Sequence, residues 1–322
     1  MGGFLNMDSF KIAFSAVFQI FLLGAIGYLL VKKEVLGGEG LKALSRLAID
    51  ITLPILMFCQ LIKDFRFDLY PLWWIFPLLS ISITLLGWVV GLPFLRFISG
   101  EEKKIQFLNL VAFQNSGYLP LALVAALLPA ALAGEMFIYL FLFLLGFNLL
   151  MFSVGAHMIC CYKNKNFELA NLFSPPVIAV IFSLLFIYLG LQRFVPEALY
   201  KPLRMIGDCT LPLAMFVVGG NLAQISLGSI DKKGVFLVIL AKMIILPLIG
   251  LWVIFTFKMP QLISLLILIQ LAMPSATTLS VIVRHYKKED LLISQGIFFS
   301  HIVSVITIPL FLILYFSHFV LQ

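Results

Sequence analysis

Long apolar stretches separated by short polar segments make up almost the whole chain. Windows of about 19 residues that avoid charge, bounded by charged residues or by Gly and Pro, predict roughly ten membrane-spanning helices. The predicted spans are residues 11–31, 41–62, 71–97, 104–128, 134–161, 171–190, 199–223, 234–257, 260–284 and 291–319. Because the connections are short, the pattern predicts an all-α membrane protein without a separate soluble domain.

The fourth and ninth predicted spans are each interrupted near the middle by polar residues, Gly or Pro. The interruptions read FQNSGYLP over 113–120 and LAMPSATT over 271–278. Backbone that leaves the helix at membrane depth is tolerated only where it is buried in protein or lines a cavity. Two such breaks, one in each half of the chain, predict broken helices that cross near the bilayer midplane and form a transport site.

The two interruptions supply groups that suit an anion. Asn115 and Ser116 carry an amide and a hydroxyl, Gly117 permits close approach of the backbone, and a proline removes one helical hydrogen bond from each span. Helices that begin at a break present free N–H groups and a partial positive charge, which favour a carboxylate. The candidate substrate-binding residues are Asn115, Ser116, Gly117, Pro120, Pro274, Ser275, Thr277 and Thr278. The alternative is a pair of ordinary proline kinks whose Ser and Thr bond to the backbone.

An internal repeat relates the second predicted span to the seventh. Residues 46–58 read RLAIDITLPILMF and residues 204–216 read RMIGDCTLPLAMF, with seven identities in thirteen positions. The same offset of 158 residues pairs the fourth span with the ninth. Because each half holds five spans, an odd number, the second half enters the membrane upside down. We therefore predict two inverted five-helix repeats, 1–166 and 167–322.

The repeat places an acid and a base at i, i+4 spacing in each half. Arg46 with Asp50, and Arg204 with Asp208, share a face of a regular α-helix. An ionised carboxylate inside a span costs at least about 2.5 to 3.5 kcal/mol on insertion scales, so pairing or protonation is expected. These four residues are the candidates for proton coupling. The alternative is a pair of static ion pairs near the membrane interface.

Composition and charge agree with a membrane protein. Of the 322 residues 62% are hydrophobic and 11% are charged, against roughly a quarter charged in a soluble domain. Thirteen Lys and Arg fall on one side of the predicted spans and six on the other, which places both termini outside the cell's inner (plasma) membrane. This topology accounts for most of the net charge of +7, so no nucleic-acid partner is expected.

Motifs for metal ions, nucleotides and hydrolytic catalysis are missing from the sequence. The four histidines have no metal-ligand spacing, and the four cysteines suit small apolar filling. Neither HExxH nor GxSxG nor a phosphate-binding Gly-rich loop occurs. We expect no cofactor, no metal and no enzymatic activity. His301, within a span, is expected to be packed or hydrogen-bonded, and Gln114 and Gln270 to bond across the crossing.

Together these motifs resemble the auxin efflux carrier family. The resemblance rests on NSGYLP at 115–120, AMPSA at 272–276, RHY at 284–286, ITIP at 306–309, and the Leu-Pro steps at 53–54 and 211–212. It implies a scaffold domain, a transport domain with crossed fourth and ninth helices, and elevator-like alternating access. Bacterial members include malonate and malate transporters, so it also implies a weak organic acid as substrate, with the Asn115 amide near its carboxylate.

The chain departs from the plant carriers of that family at two places. Residues 162–170 form a short loop where plant carriers have a long hydrophilic one, which indicates a bacterial type of permease. Ser275, Ala276 and Thr277 follow the proline of the ninth span where an asparagine is expected, which leaves the identity of the anion open. The expected partners are a small organic anion, the lipid bilayer and a second copy of the chain in a possible homodimer.

Three other functions have distinguishing tests. A sodium-coupled symporter of the bile acid type would lose uptake when choline replaces Na⁺. A membrane-embedded enzyme would need two titratable groups that converge at one depth with access to water. A sensor or structural subunit would move no solute.

Overall fold

The computed structural model describes residues 2–160, 173–225, 228–285 and 291–318. Within these ranges the backbone forms sixteen α-helices and one isolated antiparallel bridge. The helices are α1 (Gly2–Lys32), α2 (Gly38–Arg46), α3 (Leu53–Asp64), α4 (Ile75–Gly91), α5 (Glu101–Ala112), α6 (Tyr118–Leu127), α7 (Ala130–Leu150), α8 (Ala156–Cys160), α9 (Pro175–Tyr188), α10 (Glu197–Asp208), α11 (Thr210–Ala223), α12 (Lys232–Ile239), α13 (Leu246–Phe257), α14 (Gln261–Ala272), α15 (Thr278–His285) and α16 (Leu291–Phe316).

Among the described residues, seven helical stretches are long and apolar enough to cross a membrane. They are Lys11–Lys32, Gly38–Asp64, Ile75–Phe97, Ala130–Ile159, Glu197–Ala223, Lys232–Phe257 and Leu291–Phe316. Three shorter apolar helices, α6, α9 and α14, have 10, 14 and 12 residues. The prediction of an all-helical protein with several membrane spans is thus confirmed.

Several long helices change their winding just before a Leu-Pro step. A π-helical turn over Leu47–Thr52 precedes Pro54, and another over Leu240–Ile245 precedes Pro247. Between α10 and α11 the helix is interrupted shortly before Pro212. A proline ring clashes with the carbonyl group of residue i−4 and supplies no N–H, so the preceding turn widens or breaks.

The helices pack in two groups. In one group α1 lies against α11, and α3 lies against α9 and α10. In the other, α4 packs against α5 and α7, while α14 and α16 pack against each other and α16 also against α12. The groups meet where α1 contacts α16 and where α7 contacts α3 and α9, and α6 lies between α1, α7 and α11. The shorter helices α6 and α14 are buried among the longer ones over most of their length.

Large apolar side chains cover much of the outer surface. Trp252 of α13 and Ile306 of α16 are 64% and 74% exposed. Extended apolar surface of this kind marks contact with a membrane or with another protein. The outer faces of these helices suit lipid.

Candidate functional site

Two extended segments pair where the fourth and ninth predicted spans are interrupted. Helix α5 ends at Ala112 and α6 begins at Tyr118, while α14 ends at Ala272 and α15 begins at Thr278. Between these ends Gln114 and Ser275 form an antiparallel bridge. The pairing satisfies backbone groups that both helices leave free, as burial in a membrane protein demands.

The backbone hydrogen bonds of this pairing are short. The amide of Asn115 donates to the carbonyl oxygen of Pro274 at 2.8 Å, and the amide of Ala276 donates to that of Phe113 at 2.9 Å. Pro274 has no N–H to donate to the carbonyl oxygen of Gln270, so it cannot continue α14, which ends at Ala272. Its own carbonyl oxygen lies beyond the helix end and accepts from Asn115. The two helix breaks thus hold each other in place.

Side chains add further bonds across the paired segments. The amide of Gln114 donates to Oε1 of Gln270 at 3.4 Å, which confirms the predicted contact between these two residues. Gln270 in turn donates to the carbonyl oxygen of Ser116 at 3.4 Å. The hydroxyl of Ser275 donates to the carbonyl oxygen of Leu110 at 2.7 Å. The first two bonds join α14 to the extended segment at 113–117, and the third joins α5 to the extended segment at 273–277.

A cavity of about 120 Å³ lies beside the paired segments. Its polar lining is Gln114, Asn115, Ser116, Gly117, Tyr118, Asn148, Ser174, Thr277 and Thr278, and its apolar lining is Ile49, Leu53, Leu144, Phe147, Met151, Phe152, Pro176 and Ala276. None of these described lining residues is charged. Three helices begin at its wall, namely α6, α9 and α15. Their N-termini give the cavity a partial positive charge.

Four buried polar atoms of this lining have no hydrogen-bond partner within the described part of the chain. They are Oε1 of Gln114, Oγ of Ser116, the hydroxyl of Tyr118 and Oγ of Ser174. A buried polar group without a partner costs about 1–3 kcal/mol. Four such groups at one cavity are what a site built for a polar ligand leaves open.

Five of the eight predicted substrate-binding residues line the cavity, namely Asn115, Ser116, Gly117, Thr277 and Thr278. The other three do not line it. Pro120 is buried in the first turn of α6, the carbonyl group of Pro274 accepts from the backbone, and Ser275 is fully buried with its hydroxyl donated to the backbone. The prolines therefore act through the shape of the backbone.

Asn115 has a side-chain partner on a distant helix. Its Nδ2 lies 3.4 Å from Nε2 of His301 on α16, and both residues are buried. This confirms the prediction that His301 is hydrogen-bonded. The partner could not be named from the sequence, because 186 residues separate the two.

The acid and base pairs of the repeat differ in the structure. Nε of Arg204 and Oδ1 of Asp208 are 2.8 Å apart, as the spacing predicts. Among the described ion pairs there is none between Arg46 and Asp50, both of which are exposed beside a surface hollow. Asp50 lies in the π-helical turn, where the wider winding moves residues i and i+4 off a common face. Neither aspartate lines the cavity.

Sequence reasoning missed three polar lining residues. Tyr118 stands within the predicted interruption at 113–120 but was not among the predicted substrate-binding residues. Ser174 precedes the two prolines that start α9. Such prolines indicate a helix N-terminus, but they do not show which part of the protein that N-terminus faces. Asn148 is an amide within the apolar helix α7, and the sequence does not show which neighbour it meets. The packing of α7 and α9 brings the last two to the cavity.

An apolar helical bundle that encloses an uncharged polar cavity at paired helix breaks has the features of a membrane transport protein. A family model described as "Membrane transport protein" matches residues 12–166 and 159–312. The chain belongs to this family, that of the auxin efflux carriers, whose members are secondary transporters. The resemblance noted in the motifs is confirmed. No curated protein matches the chain at a significant level.

Proposed function

We propose that this protein carries a small organic anion across the membrane and that the substrate's carboxylate binds in the cavity at the paired helix breaks. The observation that carries the proposal is the meeting of three helix N-termini and three unpartnered hydroxyl groups, those of Ser116, Tyr118 and Ser174, at a cavity whose described lining is uncharged. Helix N-termini attract anions, and a carboxylate accepts hydrogen bonds from hydroxyl and amide groups.

The size of the cavity suits a small acid. Its volume is about 120 Å³, slightly less than that of an engineered apolar cavity of about 150 Å³ that binds benzene. A molecule of the size of malonate, malate or lactate matches this space. The apolar part of the lining, with Phe147 and Met151, would contact the carbon chain of the substrate.

For the architecture we propose ten spans in two inverted repeats. The seven long apolar stretches and the three shorter apolar helices sum to ten, and the shorter helices α6 and α14 belong to the two interrupted spans. The paired extended segments support a crossing of those spans. An elevator motion would carry the group of α4, α5, α14 and α16 past the group of α1, α3, α9 and α11.

The first test measures stabilisation of the purified protein by carboxylates. Lactate, malonate and malate should raise the unfolding temperature of the native protein, and their uncharged amides should not. In Asn115→Ala this rise in unfolding temperature should be lost, because the substitution removes an amide donor and part of the cavity wall. Asn221→Ala, which changes the same residue type outside the cavity, is the control and should respond as the native protein does. A full response in Asn115→Ala would contradict the site.

Ser116 gives a sharper variant of the same test. Its hydroxyl is buried without a partner, so Ser116→Ala should leave the empty protein as stable as before or slightly more stable. The response to a carboxylate should nevertheless shrink, because the hydroxyl is free to donate to a ligand. A variant that loses stability while empty and keeps its response would show that Ser116 has a structural role only.

A further inference from the structure

His301 lies near the middle of α16, between Asn115 and a second, apolar cavity. Its Nδ1 is 2.8 Å from the carbonyl oxygen of Ile297, one turn earlier in the helix. A carbonyl oxygen can only accept, so Nδ1 carries the hydrogen, and Nε2 of the neutral ring is an acceptor. Nδ2 of Asn115 donates to this Nε2.

We propose that His301 is the residue that couples this carrier to protons, by binding a proton whenever the cavity binds its anion. The proposal rests on the anion site proposed above. When Nε2 takes up a proton it becomes a donor and no longer accepts from Asn115. The amide then turns over, so that its oxygen accepts from Nε2 and its two N–H bonds point the other way. The bond from Nδ1 to Ile297 is kept.

This rotation reverses what Asn115 presents to the cavity. While His301 is neutral, the amide nitrogen faces the imidazole and the amide oxygen is left for the cavity, where it repels an anion. After protonation the cavity receives N–H donors, and the imidazolium charge lies behind them. Linkage is reciprocal, so the bound anion strengthens proton binding by the factor by which the proton strengthens anion binding. A monovalent carboxylate and one proton would cross together without net charge.

The surroundings of His301 contain few competing groups. Tyr28 of α1 lines the same apolar cavity and is the other titratable residue among its described lining. Lys242 is buried in the π-helical turn that packs against α16. Helix α14 has no titratable residue.

The remaining titratable positions on elements packed against α16 lie towards the ends of their helices. They are residues 8, 11 and 32 of α1, 101–104 of α5, 232 and 233 of α12, and 284 and 285 of α15. The starts of α5 and α12 lie by the bond between Asp231 and Gln295. Six residues of helix, about 9 Å, separate Gln295 from His301.

The acids that the sequence favoured for coupling are placed less well for this role. Asp50 and Asp208 are exposed and line neither cavity. His301, by contrast, touches a residue of the proposed anion site directly. A proton on His301 therefore acts on the substrate through a single side chain.

The test is the pH dependence of lactate and malonate binding to the purified protein between about pH 6.5 and pH 8.5, where both ligands stay essentially ionised. For the native protein the affinity should fall as pH rises, by at most tenfold per pH unit. For His301→Gln it should be independent of pH, because glutamine can bond to Asn115 but does not titrate. His318→Gln, just beyond the C-terminal end of α16 and lining neither cavity, is the control and should keep the native dependence on pH. If the affinity of His301→Gln for these ligands still falls as pH rises, the proposal is wrong, and Lys242 is the next residue to test.

Proton uptake provides a measurement on the native protein alone. Calorimetric titration with malonate in two buffers of different ionisation enthalpy gives the number of protons bound with the anion. We expect proton uptake of at most one proton per malonate, and binding without proton uptake overturns the role of His301 while leaving the anion site intact. If neither lactate nor malonate binds at any pH, the anion site itself is wrong, and the coupling falls with it.

Discussion

At the scale of single residues, the contact between α1 and α11 depends on the absence of side chains. A Cβ atom on Gly219 would overlap the carbonyl oxygen of Gly24 and lie 2.7 Å from its carbonyl carbon. On α1, a Cβ atom on Gly27 would lie 2.5 Å from the Cα atom of Phe216. These are backbone atoms, which cannot move without moving a whole helix. Small residues permit such close packing between membrane helices.

We therefore expect Gly219→Ala to destabilise the protein by roughly 1–3 kcal/mol or more, the range for overpacking in a well-packed interior. The unfolding temperature in detergent should fall by several degrees. Gly24→Ala is the matched control, because a Cβ atom there meets nothing within 4 Å. Its unfolding temperature should stay at the native value. Equal effects of the two variants would contradict this account of the α1–α11 contact.

The sequence predicted single residues well where the signal is local. Asn115, Ser116 and Thr277 stand in the two interruptions, and each lines the cavity. Ser174 and His301 were not recognised as parts of the site, because their place depends on how distant helices pack. A pattern of hydrophobicity says that a helix is buried, but not which residue of another helix it meets.

At the scale of elements, the start of α12 is fixed by Asp231. Its Oδ1 accepts from the amide of Gly234 at 3.0 Å, and its Oδ2 lies 2.7 Å from Nζ of Lys103 at the start of α5. Its own amide donates to Oε1 of Gln295 at 2.9 Å. The hydrogen bond from Lys103, and then that from Gly234, lower the pKa of Asp231. One residue thus joins α12 to α5 and α16.

Asp231→Ala should cost about 1–2 kcal/mol, mostly through the lost helix cap. Asp231→Asn keeps a capping oxygen and loses only a partly exposed ion pair, so it should cost less than about 1 kcal/mol. Because the folded pKa is lowered, the ionised carboxylate stabilises the fold above the ordinary Asp value of about 3.9. That stabilisation is lost as pH falls through the folded pKa.

The measurement is the unfolding temperature of the native protein and both variants from neutral to acidic pH. The difference between native protein and Asp231→Asn should be constant near neutrality and should vanish in acid. A difference that grows as the pH is lowered would contradict the sign of the pKa shift.

The sequence predicted the two helix interruptions but not the changes of winding within other helices. The interruptions of the predicted fourth and ninth spans are visible because amide or hydroxyl residues stand beside Gly or Pro within a few positions, and the helix ends at Ala112 and Ala272 fall there. The π-helical turns were not predicted, although each of two precedes a Leu-Pro step. Proline weakens the preceding turn, but whether that turn kinks, widens or breaks depends on its neighbours. The missing contact between Arg46 and Asp50 follows from one such turn.

At the scale of the whole molecule, the distribution of Lys and Arg predicts the orientation in the membrane. The turn after α1 belongs to the side with thirteen such residues, and the loop between α3 and α4 to the side with six. The helical stretch Gly38–Asp64 joins the turn after α1 to the α3–α4 loop and is long enough to cross the bilayer. If ten spans are present, both termini lie on the side of the α3–α4 loop.

This orientation can be tested with two variants. Each carries one introduced cysteine in a protein whose four native cysteines have been replaced. Val35 in the first turn and Leu69 in the second loop are similarly exposed, at 68% and 63%, so they should react equally once a reagent reaches them. In intact cells a membrane-impermeant maleimide should label Leu69→Cys and spare Val35→Cys, because positively charged connections stay in the cytoplasm. In inside-out vesicles the pattern should reverse. Labelling of both positions from one side would show that Gly38–Asp64 does not cross the membrane. Labelling of Val35→Cys alone in intact cells would show that the protein has the opposite orientation.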